Sequence, residues 1–310
     1  MINFTNEYKK NLVVISGFSR SGKAALSPVV SSFKNYEMFF TSTIAENIIY
    51  LLTLKKISPD YAKFILHNIF NEQIYNLMVG RNLNLRKHDY TSIINHAFYK
   101  EYLKRSKTHF FSNSLEKKHI KKKFFPVFFH DAMIQSDFLL KNFKGLKIIN
   151  IVRHPIDLIF SWNKKGYYGK IFKLKRNAVP NIRYRNKDLP FYAILNKKNF
   201  IKTKNNYEKI VLMLRNLDVL TKKNNIYKKK NKNFLEIRFD DLKSQPQKTI
   251  KVLTNFLSTR QTSVTKNLSN LLVKGQEANR KHKKDIILKK LNNKYKKILN
   301  KMIIDYEKKS

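Results

Sequence analysis

The sequence predicts an α/β fold: a central, mostly parallel sheet with helices on both faces. Two observations carry this expectation. Short apolar runs at 12–15, 147–152 and 234–239 have the length and composition of buried strands. Segments of helical period, at 155–162, 207–220 and 247–257, stand between or after them. In such sheets ligands bind outside the carboxyl ends of the strands. The polar residues Ser19, Arg20, Ser21, Gly22, Lys23, His130, Asp131 and Arg153 all fall at those ends.

Taken in order, the run Leu12-Val13-Val14-Ile15 enters Gly17-Phe18-Ser19-Arg20-Ser21-Gly22-Lys23, and a helical stretch follows from Ala24. Glycines let the backbone wrap closely, and N–H groups at a helix start point at an anion. Arg20 and Lys23 add full positive charge. The spacing fits the P-loop pattern GxxxxGK with one defect. That pattern wants a Ser or Thr hydroxyl on Mg²⁺ where this chain has Ala24.

Residues 36–106 form a mostly helical insertion. Ile44, Ile48, Leu51 and Leu52 repeat at helical spacing. Ser58-Pro59 opens a second helix, with Tyr61, Ile65, Ile69 and Phe70 as its apolar face. A polar stretch at 80–89 breaks the pattern. It suits solvent, and its Arg, Asn and Asp would also suit a polyhydroxyl acceptor. A helix is expected over 93–103. A strand at 124–129 ends at His130-Asp131, and a short helix follows around 138–140. The strand at 147–152 runs into Arg153-His154-Pro155, where proline starts the next helix. Residues 163–204 are expected to be a long loop or lid with partial helix. Residues 222–233 are a surface loop, and 283–310 a basic helical tail. The whole chain, 1–310, is expected to be a single domain.

Composition narrows the function classes. The 310 residues are 42% hydrophobic, enough for a substantial core, and contain no cysteine. That excludes disulfides, thiolate metal sites and thiolate nucleophiles. Lys+Arg is 64 against Asp+Glu 21, a net charge of +43, which raises the potential around any anion site. The lysines are spread through every segment alongside abundant Asn, Ile, Phe and Tyr, as in AT-rich coding sequences. No zinc-finger, RNA-recognition or helix-turn-helix signature appears, so specific nucleic-acid binding is not expected. No apolar run reaches membrane-spanning length, and the first residues lack a signal peptide's pattern, so the expected location is cytoplasmic.

Three motifs in order resemble the sulfotransferase family, whose donor is 3′-phosphoadenosine 5′-phosphosulfate (PAPS). Ser19-Arg20-Ser21-Gly22-Lys23-Ala24 is similar to the family's 5′-phosphosulfate loop. The run from Ile151 through Arg153 to Ser161 is similar to its 3′-phosphate motif. Ile237-Arg238-Phe239-Asp240-Asp241-Leu242 resembles its late strand–acid–acid–Leu segment, and Lys274-Gly275 is similar to part of a C-terminal turn at the 3′-phosphate. The resemblance spans roughly 11–275. It implies a P-loop-like sulfotransferase fold, PAPS as co-substrate, no metal, and a hydroxyl-bearing acceptor: a glycan, a lipid or a small molecule. It also implies roles. Ser19, Arg20, Ser21, Gly22, Lys23 and Ala24 would hold the phosphosulfate; Arg153, Ser161, Lys274 and Gly275 would hold the 3′-phosphate. His130 would be the general base, Lys23 would stabilise the leaving phosphate, and Asp131 would orient His130 or serve as base itself.

The chain departs from the family at three places. Lys23 and Ala24 replace two usual hydroxyl residues, and Phe128 replaces a lysine two residues before His130. Blander readings compete: Arg153 as a surface ion pair with Asp157, His130 as a strand-end rim residue, Asp131 as a helix cap. Two other functions compete too. A P-loop kinase or NTPase would need Asp240 or Asp241 on Mg²⁺. A basic nucleic-acid-binding protein would show a steep salt dependence insensitive to Arg153.

Overall fold

The computed structural model describes residues 11–96, 98–107, 122–169, 179–227, 231–273 and 279–308. Among the described residues seven strands are formed: β1 Leu12–Ser16, β2 Phe40–Thr41, β3 Phe125–Phe128, β4 Lys147–Val152, β5 Asn181–Tyr184, β6 Lys187–Pro190 and β7 Phe234–Arg238. Five of them make a parallel sheet in the order β2-β3-β1-β4-β7. β5 and β6 form a separate antiparallel hairpin. The helices are α1 Lys23–Ser31, α2 Thr43–Thr53, α3 Pro59–Val79, α4 Tyr99–Lys107, α5 Ser136–Asn142, α6 Pro155–Lys164, α7 Lys197–Lys202, α8 Asn206–Lys222, α9 Phe239–Ser244, α10 Pro246–Leu257, α11 Ser263–Val273, α12 Arg280–Lys290 and α13 Asn293–Glu307.

β1 lies in the middle, between β3 and β4, and all five of its residues are buried. Covering both faces removes the polar alternation that a half-exposed strand would show. Val13 and Ile15, with Ile149 and Ile151 of β4, pack against α1 and α10. Leu12, Val14 and Ile148 pack on the opposite face against α2 and α3. A third cluster joins α6, α8, α12 and α13 around the fully buried Trp162. The strand order reverses at β1, and the loop that follows it therefore sits at the switch point where such sheets bind ligands.

Several expectations are corrected. The insertion at 36–106 is not wholly helical, since β2 adds an edge strand beside β3. Residues 93–103 are not one helix; a 3₁₀ turn at Ile93–Asn95 precedes α4. Its break is built by His96, whose Nδ1 accepts from the Phe98 amide at 3.2 Å. Ile44 and Tyr61 point to solvent, 65% and 69% exposed, because α2 and α3 pack on each other through neighbouring faces. The segment expected to be a lid contains the β5–β6 hairpin, and Phe239 begins α9 rather than ending a strand.

The C-terminal segment expected to be a basic helical tail is helical, as α12 and α13. This segment is part of the core: Ile287, Leu291, Tyr295, Leu299 and Ile303 are buried against α6 and α8. Its helices dock through Asp157, a fully buried carboxylate on α6. Arg280 Nε donates to Asp157 Oδ2 at 2.8 Å and Lys283 Nζ to Oδ1 at 2.5 Å. Asp157 is therefore not the partner of Arg153. Burial alone would raise its pKa, but the bond from Lys283 and the charge of Arg280 outweigh it and hold the carboxyl below its ordinary value. The stability this provides is present above the unfolded-state pKa and is lost as pH falls through the folded one. Asp157→Asn should lower unfolding free energy by about 3 kcal/mol, the order expected when one member of a buried ion pair is removed. Urea denaturation at neutral pH measures it, and the deficit should shrink in acid.

Candidate active site

The loop between β1 and α1 is shaped by two glycines and by its carbonyl partners. Gly17 has φ +150°, and a Cβ there would lie 2.3 Å from the Ile151 carbonyl oxygen. Gly22, the N-cap of α1, has φ +116°, and a Cβ would lie 2.3 Å from the Phe239 ring. Only glycine fits either position. Four successive carbonyls are then gripped by side chains. Lys23 Nζ donates to Gly17 O and, at 2.8 Å, to Phe18 O. Trp162 Nε1 donates to Ser19 O at 2.7 Å, and Arg153 Nη1 to Arg20 O at 3.0 Å. The N–H groups opening α1 have no intrahelical acceptor, and glycine as N-cap offers no side chain to satisfy them. The result is an anion cradle of free backbone amides.

The predicted phosphate-binding residues converge on this cradle. Arg20 Nε donates to Ser161 Oγ at 3.2 Å, so the loop, Arg153 and Ser161 form one cluster although they come from β1, β4 and α6. The Arg153 guanidinium lies 4.9 Å over the Phe239 ring, and its Nε is buried without a partner. Ser21 Oγ is likewise buried and unpartnered. Ser19 Oγ bonds the Tyr167 hydroxyl, and Tyr167 stacks on Trp162 at 4.8 Å. Lys274 and Gly275 lie outside the described residues.

Lys23 does not project into the cradle. It is 2% exposed, its ammonium folded beneath the loop and 5.4 Å from the Phe128 ring centroid. Burial pushes its pKa down to about 8, against the opposing pull of Asp131 and Glu46. The charged side chain thus sits beside the position where the family's lysine is replaced by Phe128.

His130 and Asp131 part company. The His130 amide and its Nδ1 both contact Glu46 Oε1, at 3.0 and 2.8 Å. A carboxylate only accepts, so Nδ1 carries the hydrogen and Nε2 is the nitrogen with a free lone pair. The His130 carbonyl in turn receives the Gly17 amide, joining the end of β3 to the loop. Asp131 does not orient His130. Its Oδ2 accepts from Tyr50 OH at 2.7 Å and Tyr192 OH at 2.6 Å in the interior, and it makes no side-chain cap. Burial raises its pKa. Glu46, visible in the sequence only as an interruption of an apolar run, does the work expected of Asp131.

A family profile for the sulfotransferase domain matches residues 10–305. The chain belongs to the sulfotransferase family. Among solved structures it is similar to sulfotransferase STF9 from Mycobacterium avium, at 11% identity over 98% of this chain and 78% of that one, TM-score 0.46. Mouse sulfotransferase SULT7A1, crystallised with PAP, is 16% identical over 87% and 68%, TM-score 0.35. The sulfotransferase domain from the curacin biosynthetic pathway is 11% identical over 87% and 79%, TM-score 0.40. None of the curated proteins matches the sequence. In this sulfotransferase the buried Lys23 gives a pH signature. Its folded pKa is depressed from 10.5 to about 8, so between those values the unfolded chain binds more protons. Its contribution to stability therefore rises with pH across that window. The difference in unfolding free energy between wild type and Lys23→Met should increase by about 3 kcal/mol from pH 8 to 10.5. A flat difference would show that Lys23 titrates normally.

Proposed function

We propose that this sulfotransferase takes a sulfuryl group from PAPS and delivers it to a hydroxyl by in-line displacement. The observation that carries the reading is the cradle itself: loop carbonyls held from behind, amides left free, and Arg153 and Ser161 joined to it. The orphaned Arg153 Nε and Ser21 Oγ are donors suited to phosphate oxygens, which supports the fit. Arg20 and the amides of Gly22, Lys23 and Ala24 would hold the phosphosulfate end. Arg153 and Ser161 would hold the 3′-phosphate. When bound, the donor supplies the sulfuryl group, whose bond to phosphate oxygen breaks as the bond to the acceptor oxygen forms.

The chain's own residues supply the rest. Nε2 of His130 takes the acceptor's proton, and Glu46 fixes the tautomer and stabilises the imidazolium that results. Lys23 keeps positive charge at the junction of loop and base, where negative charge develops on the leaving phosphate. A Mg²⁺-dependent phosphoryl transfer is less favoured. Ala24 has no hydroxyl, and Asp240, one of the two acids it could recruit, is bonded to Arg280 and Tyr306.

Three outcomes follow. Arg153→Ala should weaken 3′,5′-ADP binding by about 1.5–3 kcal/mol and AMP binding by less, the difference between the two being the 3′-phosphate contact. Calorimetry, or the fluorescence of Trp162, the single tryptophan, reads both. Wild-type protein that binds the two nucleotides equally would refute the 3′-phosphate assignment. His130→Ala should slow transfer by roughly 10²–10⁴ with an unaltered dissociation constant for 3′,5′-ADP. Glu46→Gln, which keeps a hydrogen-bond acceptor but removes the charge, should fall between wild type and His130→Ala.

A further inference from the structure

Two carboxylates from different elements meet at one guanidinium. Arg280, the first residue of α12, donates through Nε to Asp157 Oδ2 at 2.8 Å. Its Nη2 lies 2.8 Å from the same oxygen and donates to Asp240 Oδ1 at 2.9 Å. Asp157 stands on α6 midway between Arg153 and Ser161 in the chain. Asp240, on α9, follows Phe239, whose ring lies 4.9 Å from the Arg153 guanidinium. The bridge therefore joins the helix that carries Ser161 to the helix whose first residue supports Arg153.

A second route joins the same elements. Tyr306 OH donates to Asp240 Oδ2 at 3.1 Å. Its ring stands 5.2 Å edge-on to His154, the N-cap of α6, whose Nδ1 accepts from the Ile156 amide at 3.2 Å. Arg280, Asp240, Tyr306, His154 and Asp157 thus close a ring of contacts around the turn that follows Arg153. Lys283 holds the other oxygen of Asp157 and, among the described residues, no second carboxylate. Removing Arg280 would leave Asp157 with Lys283 but take away the cation between the two carboxylates. Like charges would then push α6 and α9 apart.

Resting on the donor reading above, we propose that Arg280 is a positioning residue for the 3′-phosphate. It does not touch the donor. By spanning Asp157 and Asp240 it fixes Ser161 and Phe239 at the spacing at which Arg153 and Ser161 close on one phosphate. The guanidinium suits this task, since its donors are planar and fixed in direction. Two groups that grip one anion depend on their separation, so a small shift between α6 and α9 loosens the grip. The cradle's bonds from Lys23 and Trp162 do not pass through α9. Affinity for a nucleotide without a 3′-phosphate should therefore fall by less.

The test compares wild type with Arg280→Met, Asp240→Ala and Lys283→Met, each checked for folding by urea denaturation. Calorimetry gives dissociation constants for 3′,5′-ADP and AMP, and the readout is the ratio of the AMP constant to the 3′,5′-ADP constant. Arg280→Met and Asp240→Ala should each lower that ratio roughly three- to thirtyfold, the range in which a supporting residue alters coupling. Lys283→Met, which strips a partner from the same carboxylate, should lose stability and keep the ratio. An Arg280→Met protein that loses stability with its ratio unmoved would overturn the proposal. So would an equal fall in Lys283→Met, which makes the docking of α12 the cause, or a fall in Arg280→Met alone, which makes Arg280 a direct ligand. If Arg280→Met does not fold, Asp240→Ala decides, because it leaves the Asp157 pairs intact. Wild-type protein that binds the two nucleotides equally would overturn the donor reading and this inference with it.

Discussion

The site depends on where the carbonyls of residues 17–20 point. A peptide carbonyl and the adjoining N–H face opposite ways, so holding these carbonyls sets the peptide planes through Ser21, and with them the path by which the chain enters α1 at Gly22. Lys23, Trp162 and Arg153 take the four carbonyls between them. The donors come from the loop's own helix, from α6 and from the end of β4. A loop rich in glycine would otherwise sample many conformations at an entropic cost to binding. Here the fold has met that cost before any ligand arrives, which is preorganisation in the ordinary sense.

This arrangement explains the departure at Lys23. A hydroxyl at that position would donate to the ligand. The longer lysine side chain instead reaches back under the loop and holds Gly17 and Phe18. In the proposed donor complex, positive charge at the phosphosulfate end would then be left to Arg20, which lies on the exposed side of the loop and already contacts Ser161. The ammonium of Lys23 still lies close enough to Asp131 and Glu46 to be influenced by them. It links the anion cradle to the base without occupying either.

Much of this was legible in the sequence where the signal is local. β1 is an unbroken apolar run from Leu12 to Ile15 because both faces of the sheet are covered there, and β4 and β7 keep apolar majorities around Lys147, Asn150, Glu236 and Arg238. Gly17, Gly22 and Pro155 announce their backbone geometry by residue type. Arg153 and Ser161 share a helix start and face, so spacing alone groups them. What was not legible is long-range. Glu46 meets His130 across 84 positions, and Trp162 meets Ser19 across 143. A buried glutamate within an apolar helix looks like an interruption until its partner is known. The docking of the C-terminal helices is long-range too. Their lysine content suggests solvent, while Arg280, Lys283 and one apolar face tie them to α6 and α8. β2, with two residues, is too short for any periodicity to mark it.

The central claim is that free backbone amides at the start of α1 bind the phosphate group of the donor. Amide NMR of protein labelled at backbone nitrogen tests it most directly, by titration with 3′,5′-ADP without added metal. The account predicts that the amide protons of Gly22, Lys23 and Ala24 move downfield together and saturate with the calorimetric affinity, as new N–H···O bonds form. Saturation of binding with those three resonances unmoved would contradict it.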